Sequence, residues 1–165
     1  MPDGQPMLLP KLRGYLNERV AEFDEIPAHR RAVLERISTF VLDREASDRP
    51  ALLIFVCTHN SRRSHMAQLW ARIAAHAFSV PGVETFSGGT EATAFNPRSI
   101  AALKRAGLRV EFFTDGKNPT YEVSWEPGME PAQVFSKLID ESPNPTEDFA
   151  AVMTCSAADA GCPVI

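Results

Sequence analysis

The sequence predicts an α/β fold: a four-stranded, mostly parallel sheet with flanking helices, preceded by an N-terminal helical hairpin. Three observations carry this. Ala51 to Val56 is apolar with almost no polar alternation, the composition of a strand buried on both faces. A short polar loop, Cys57 to Ser64, separates it from a stripe at helical spacing: Met66, Leu69, Trp70, Ile73, Ala74 and Ala77. Strand and helix signals then alternate as far as Phe149 to Thr154, the pattern of β-loop-α-β-α-β.

The first elements lie outside that alternation. Residues 7 to 25 carry Leu8, Leu9, Leu12, Tyr15, Leu16, Val20 and Phe23 near helical spacing, with Gly14 as a weak point. Ile26-Pro27 breaks the pattern, and Pro27 suits the start of a second helix with Val33, Leu34, Ile37, Phe40 and Val41 on one side. Such a hairpin has three uses open to it: packing on the rest of the chain, dimer contacts, or holding a partner. The polar stretch from Asp43 to Pro50 marks a boundary, giving a hairpin extension over 1–48 and an α/β domain over 49–165.

Within the domain, Pro81-Gly82 turns the chain into a strand at Val83 to Phe86. Ser87-Gly88-Gly89-Thr90 then allows backbone to approach another element, such as the polar loop. Asn96-Pro97 reads as a helix cap and first-turn proline, and Gly107 as the stop. Leu108 to Phe112 is the third strand. An insertion at about 115–147 differs in texture, with Pro119, Pro127, Pro131, Pro143 and Pro145. In it, Tyr121 to Trp125 and Gln133 to Ser136 form a hairpin across Pro127-Gly128. Tyr121 and Trp125 read as packing residues, with a ligand-facing role as the alternative. Phe149 to Thr154 is the fourth strand.

Composition narrows the function classes. A length of 165 residues fits one domain with an appendage, and 44% apolar with 23% charged residues is ordinary for a globular protein. A formal net charge of −4 without a basic face argues against general nucleic-acid binding. No apolar run reaches the roughly 20 residues of a membrane span. The N-terminus lacks the layout of a signal peptide, so a cytoplasmic, reducing setting is the expectation. There, three cysteines read as thiols with chemistry rather than as bridges.

The loop itself is the candidate site. Strand, polar loop and helix place backbone N–H groups at the positive end of a helix, which suits an oxyanion. A thiol there, Cys57, beside the Arg63 guanidinium, is expected to be a thiolate. Arg63 offers a planar fork to two oxygens of a tetrahedral anion, and the Ser64 hydroxyl can bond the sulfur. The competing reading is an inert cysteine ending a core strand. Cys155 closes the fourth strand as Cys57 closes the first, and parallel strands share one C-terminal edge. Cys162 follows; across an intact helix the two would lie about 10.5 Å apart, too far for a disulfide without unwinding. A redox switch, two unrelated thiols and a metal site all remain open for this pair, the last poorly supported by C-x6-C with His59 and His65 elsewhere. His29 and His76 fit ordinary helix surfaces. We expect no metal and no cofactor.

Val56-Cys57-Thr58-His59-Asn60-Ser61-Arg62-Arg63-Ser64 resembles the phosphate loop of low-molecular-weight protein tyrosine phosphatases, and most closely that of their thioredoxin-coupled arsenate reductase relatives. Thr154-Cys155-Ser156-Ala157-Ala158-Asp159 with Cys162-Pro163, and Ser87-Gly88-Gly89-Thr90-Glu91 with Asn96-Pro97, are similar to theirs too. The likeness runs from about Ala51 to Ile165, interrupted by the insertion.

It implies Cys57 as nucleophile and Arg63 as oxyanion clamp, with Ser64 supporting the thiolate. The oxyanion loop would be Thr58, His59, Asn60, Ser61, Arg62 and Arg63. By the same resemblance, Cys155 would attack the Cys57 adduct and Cys162 would take over the disulfide for a reductant such as thioredoxin. The substrate would be arsenate, reduced to arsenite. The alternative is hydrolysis of phosphotyrosine or small phosphoesters through a phosphocysteine. His59 replaces a common glycine, Arg62 a common cysteine, and Gln68 a glutamate that helps some reductases hold potassium, so that ion is not expected. The chain stops at Ile165 before the family's Asp-Pro general-acid loop, which predicts a C-terminally truncated domain.

Overall fold

The structure is a computed structural model, and it describes residues 6–161. Cys162 and the three residues after it lie outside the described residues.

α1 spans Pro10–Val20, and α2 spans Ala28–Ala46. The connection between them contains a 3-10 turn at Phe23–Glu25 and is held by Arg31, whose guanidinium donates to the carbonyls of Ile26 and Asp24, each at 2.8 Å. The two helices pack on different partners. α1 lies on the later helix Pro97–Ala106, and Leu8 and Leu12 enter the main core beside Leu69, Ile73 and Leu103. α2 has no buried residue and rests against the strand Ala51–Cys57. At its end, Arg44 and then Arg49 grip the carboxylate of Asp148, which their hydrogen bonds and charges hold below the usual carboxylate range.

β1 (Ala51–Cys57) is buried along nearly its whole length, as its unbroken apolar run requires. It is the centre of a parallel sheet ordered β2-β1-β6, where β2 is Val83–Gly89 and β6 is Phe149–Met153. The helix after the polar loop, α3 (Arg63–Ala77), packs on β1 and β2 through Leu69 and Ile73. α4 (Pro97–Ala106) starts and stops where the sequence says it should. Asn96 Oδ1 accepts the Arg98 N–H at 3.0 Å, and Gly107 adopts φ +105° at the end. A side chain there would collide with the Leu12 backbone nitrogen at 2.5 Å, so this glycine also seats α1.

The third expected strand corrects the four-stranded parallel sheet. β3 (Arg109–Phe112) leaves it and pairs antiparallel with β4 (Tyr121–Ser124), which pairs in turn with β5 (Ala132–Val134). The reason is local. The connection over residues 113–120, closed by Phe113 N–H to the Thr120 carbonyl at 3.0 Å, is too short for the crossover a parallel pair would need, so β4 folds back antiparallel on β3 and takes up its edge. Only Val110 of β3 is buried, the one-faced pattern that antiparallel pairing tolerates. The predicted hairpin of the insertion is present as β4 and β5, and Trp125 and Tyr121 both pack into or against the core. A short helix, α5 (Ser156–Gly161), follows β6.

No helix among the described residues is long and apolar enough to cross a membrane.

Candidate active site

Three chain segments converge at the C-terminal edge of the parallel sheet. Cys57 ends β1 in register with Gly89, the last residue of β2. Val56 is in register with Met153 of β6, so Thr154 and Cys155 emerge beside the start of the polar loop. The Thr154 N–H and hydroxyl both donate to the Val56 carbonyl, at 2.8 and 2.7 Å. The Cys155 sulfur then lies 3.7 Å from the Thr58 hydroxyl. Two cysteines 98 positions apart in the chain thus open onto one loop.

The loop's carbonyls are turned outward and tied down. The Thr58 carbonyl accepts from Glu91 N–H at 2.7 Å and Thr90 Oγ1 at 3.2 Å. The His59 carbonyl accepts from Thr93 Oγ1 and Ser136 Oγ, each at 3.0 Å, and the Ser61 carbonyl accepts from Asn96 N–H at 2.9 Å. With the carbonyls outward, the N–H groups of Asn60, Ser61 and Ser64 face the Cys57 sulfur. This is the cradle a tetrahedral oxyanion would occupy.

A directed hydrogen-bond chain reaches the sulfur from the far side. Lys137 N–H donates to Asn60 Oδ1 at 2.9 Å, which fixes the orientation of that amide. Asn60 Nδ2 therefore donates to Ser64 Oγ at 2.8 Å, leaving the Ser64 hydrogen free for the Cys57 sulfur 3.1 Å away. Asn60 and Ser64 are fully buried, so each bond is made without competition from water. Burial alone would raise the Cys57 thiol. The Ser64 hydroxyl and the three backbone N–H groups outweigh it and hold the thiol below its ordinary value. The sequence expectation named two causes, the N–H groups at the helix start and Arg63; the N–H groups act on Cys57, and the Arg63 charge acts on the other sulfur. For Cys155, partial burial pulls upward and is outweighed by the Ala158 N–H, the Thr58 hydroxyl and N–H, and the Arg63 guanidinium. Both sulfurs are thus biased toward the reactive thiolate.

Arg62 and Arg63 are exposed at the loop's mouth with His59, whose ring stands 3.3 Å from the Glu91 carboxylate. Ser61 anchors the loop instead of facing the anion, through its hydroxyl to the Ala94 carbonyl at 2.7 Å. Thus Cys57, Thr58, His59, Asn60, Ser61, Arg62, Arg63, Ser64 and Cys155 are gathered in one place, and Cys162 falls outside the described residues.

The close backbone approach expected of Ser87-Gly88-Gly89-Thr90 is at this loop. A Cβ on Gly89 would sit 2.7 Å from both the Asn60 nitrogen and the Thr58 oxygen. Sequence reasoning missed Ser136 and Lys137, which reach the loop from the 115–147 segment, and Asn118, which holds Ser136; it weighed His65, buried on α3 against Ser87 Oγ at 3.1 Å, only for a metal site. No periodicity or motif marks them.

The chain is similar to curated arsenate reductases of staphylococci. It is 31% identical over 115 residues to arsenate reductase 2 of Staphylococcus epidermidis and of Staphylococcus haemolyticus, covering 68% of this chain and 66% of each relative. To the arsenate reductase of Staphylococcus aureus it is 30% identical over 112 residues, covering 67% of this chain and 65% of the relative. The chain therefore spans a little under two thirds of the length of these relatives. No family model and no solved structure matches it.

Proposed function

We propose that this relative of the staphylococcal arsenate reductases is itself a thiol-dependent reductase, converting arsenate to arsenite with Cys57 and Cys155, and that residues 49–165 carry the chemistry. The observation that supports this best is the placement of a second thiol, Cys155, 3.7 Å from the Thr58 hydroxyl of the loop that begins at Cys57. Hydrolysis of a phosphoester needs only the first.

In this reading arsenate enters the N–H cradle, where its charge is matched by Asn60, Ser61 and Ser64 N–H groups, with Arg63 at the mouth. The Cys57 thiolate attacks arsenic, a Cys57 S–As bond forms as one As–O bond breaks, and the departing hydroxyl takes a proton from solvent and leaves as water. The Cys155 thiolate then attacks the Cys57 sulfur. The S–As bond breaks with its electron pair going to arsenic, which falls from As(V) to As(III) and departs as arsenite. Two thiolates have given up two electrons and become a Cys57–Cys155 disulfide. Cys162 would next attack the Cys155 sulfur, release the Cys57 thiolate, and present Cys155–Cys162 to a dithiol reductant of the thioredoxin type. A reducing cytoplasm is the setting in which that last step recycles the enzyme.

Disulfide mapping tests the relay. The reduced protein is given arsenate without a reductant, remaining thiols are alkylated, and bonds are located by peptide mass. An arsenate-dependent Cys155–Cys162 bond that disappears in Cys57→Ser is expected. Three free thiols in the folded protein after arsenate treatment would overturn the reductase reading and leave the phosphatase one.

A further inference from the structure

A trans peptide unit is planar, so its C=O and N–H point in opposite directions. The unit joining His59 to Asn60 exploits this. Its carbonyl faces outward onto two hydroxyl donors, Thr93 Oγ1 and Ser136 Oγ, and its N–H faces the Cys57 sulfur. Rotating the unit by half a turn would reverse both. It would withdraw an N–H from the cradle and aim a carbonyl oxygen at the anion.

The backbone at this point carries the mark of the observed sense. Asn60 holds φ +41°, in the left-handed region that non-glycine residues visit rarely. A peptide flip changes the φ of the residue that follows, and here it would carry Asn60 out of that region to a negative φ. Something must therefore hold the unit in its observed sense. We infer that Ser136 is a positioning residue of the anion loop: together with Thr93 it locks the His59–Asn60 peptide so that the Asn60 N–H faces the nucleophile and its oxyanion.

Ser136 is held in a way that suits such a lock. Its side chain is buried, and its hydroxyl has a fixed sense. Thr93 N–H donates to the oxygen at 2.8 Å, which leaves the hydrogen for the His59 carbonyl. Its own backbone is gripped at both polar atoms by one side chain. Ser136 N–H donates to Asn118 Oδ1 at 3.1 Å, and Asn118 Nδ2 donates to the Ser136 carbonyl at 2.7 Å. The next residue, Lys137, holds the Asn60 amide. The insertion at 115–147 thus supplies the rear wall of the anion site, clamping the loop's backbone and its Asn60 side chain.

The inference rests on Cys57 as the nucleophile of the reading above, and its test separates the two. Alkylation of Cys57 by iodoacetamide is followed by peptide mass against pH, with and without inorganic phosphate, in the full chain. The variants are Ser136→Ala, Thr93→Val and Thr93→Ser, each checked for folding by circular dichroism. Ser136→Ala and Thr93→Val are expected to move the alkylation profile to higher pH and to weaken phosphate protection about three- to tenfold, the range for losing one hydrogen bond. Thr93→Ser, which keeps the hydroxyl, retains the wild-type profile. Should Ser136→Ala not fold, the contrast between Thr93→Val and Thr93→Ser decides, because Thr93 is exposed. Folded Ser136→Ala and Thr93→Val proteins with wild-type profiles would overturn the lock and leave Cys57 as nucleophile. A wild-type Cys57 that alkylates as an ordinary thiol, unprotected by phosphate, would overturn both.

Discussion

Replacing Gly89 by alanine is the most severe small change the anion site can receive. The added Cβ would lie 2.3 Å from the Glu91 oxygen and 2.7 Å from both the Asn60 nitrogen and the Thr58 oxygen, where ordinary contact begins at about 3.4 Å. All three are backbone atoms, so no side chain can swing aside. Either β2 moves away from β1 at the register pair Cys57–Gly89, or the loop at Thr58–Asn60 is pushed outward. Overpacking of this kind costs about 1–3 kcal/mol, and three simultaneous backbone clashes place Gly89→Ala at the upper end. A domain of this size would lose roughly 6–12 °C in melting temperature for 3 kcal/mol. Because the displaced atoms belong to the cradle, Cys57 alkylation should also shift to higher pH and lose phosphate protection. Gly14→Ala is the internal control. It lies in α1 with nothing within 4 Å of the new methyl, and should stabilise the protein by up to about 1 kcal/mol. The assays are thermal melts and the pH profile of alkylation. A Gly89→Ala protein that melts with the wild type and keeps its thiolate profile would refute the close approach from which this reasoning starts.

Ser64→Ala removes the hydroxyl that faces Cys57 and orphans the buried Asn60 Nδ2. A hydrogen bond to a charged group contributes about 1.5–3 kcal/mol, so the alkylation midpoint should rise by about one to two pH units. His65 is pushed down to about 3, first by burial and then by the Lys137 charge, with the Asn60 backbone opposing. The unfolded chain takes up a proton that the folded protein refuses, so this histidine's neutral burial favours folding fully above pH 6.5 and progressively less as pH falls toward about 3. Urea denaturation at pH 7, 5.5 and 4.5 should show that loss in the wild type, by at most about 1.4 kcal/mol per pH unit, and less of it in His65→Gln. Lys137 is lowered to about 8 by burial, which Glu141 only partly offsets. Its unfolded form binds more protons between pH 8 and 10.5, so stability should rise across that window. Lys137→Met should remove the rise and be more stable at pH 7 by up to roughly 3 kcal/mol, as denaturant midpoints would register.

What could be read from the sequence follows the range over which each signal acts. β1 declares itself because burial on both faces leaves no room for polar residues, and α4 because Asn96, Pro97 and Gly107 each satisfy a local backbone requirement. The loop chemistry is legible for the same reason: Cys57, Asn60 and Ser64 are neighbours in the chain as well as in space. β3 was placed in the wrong sheet because partner choice depends on the tight connection to β4, and a four-residue strand holds little record of it. For Cys57 the N–H groups at the helix start were legible from the strand-loop-helix order, whereas which of the two sulfurs the Arg63 charge would act on depends on a cysteine 98 positions away. Ser136 was invisible altogether: its importance lies in a carbonyl 77 positions away.

That separation of 77 positions also orders events during synthesis. A ribosome adding about 5–20 residues per second delivers Ser136 and Lys137 roughly 4–15 s after His59 and Asn60. Until then the loop has its thiol but lacks the Ser136 hydroxyl and the Lys137 N–H that bond its backbone and its Asn60 amide. Those groups are added shortly before Cys155, the thiol proposed to attack the Cys57 sulfur.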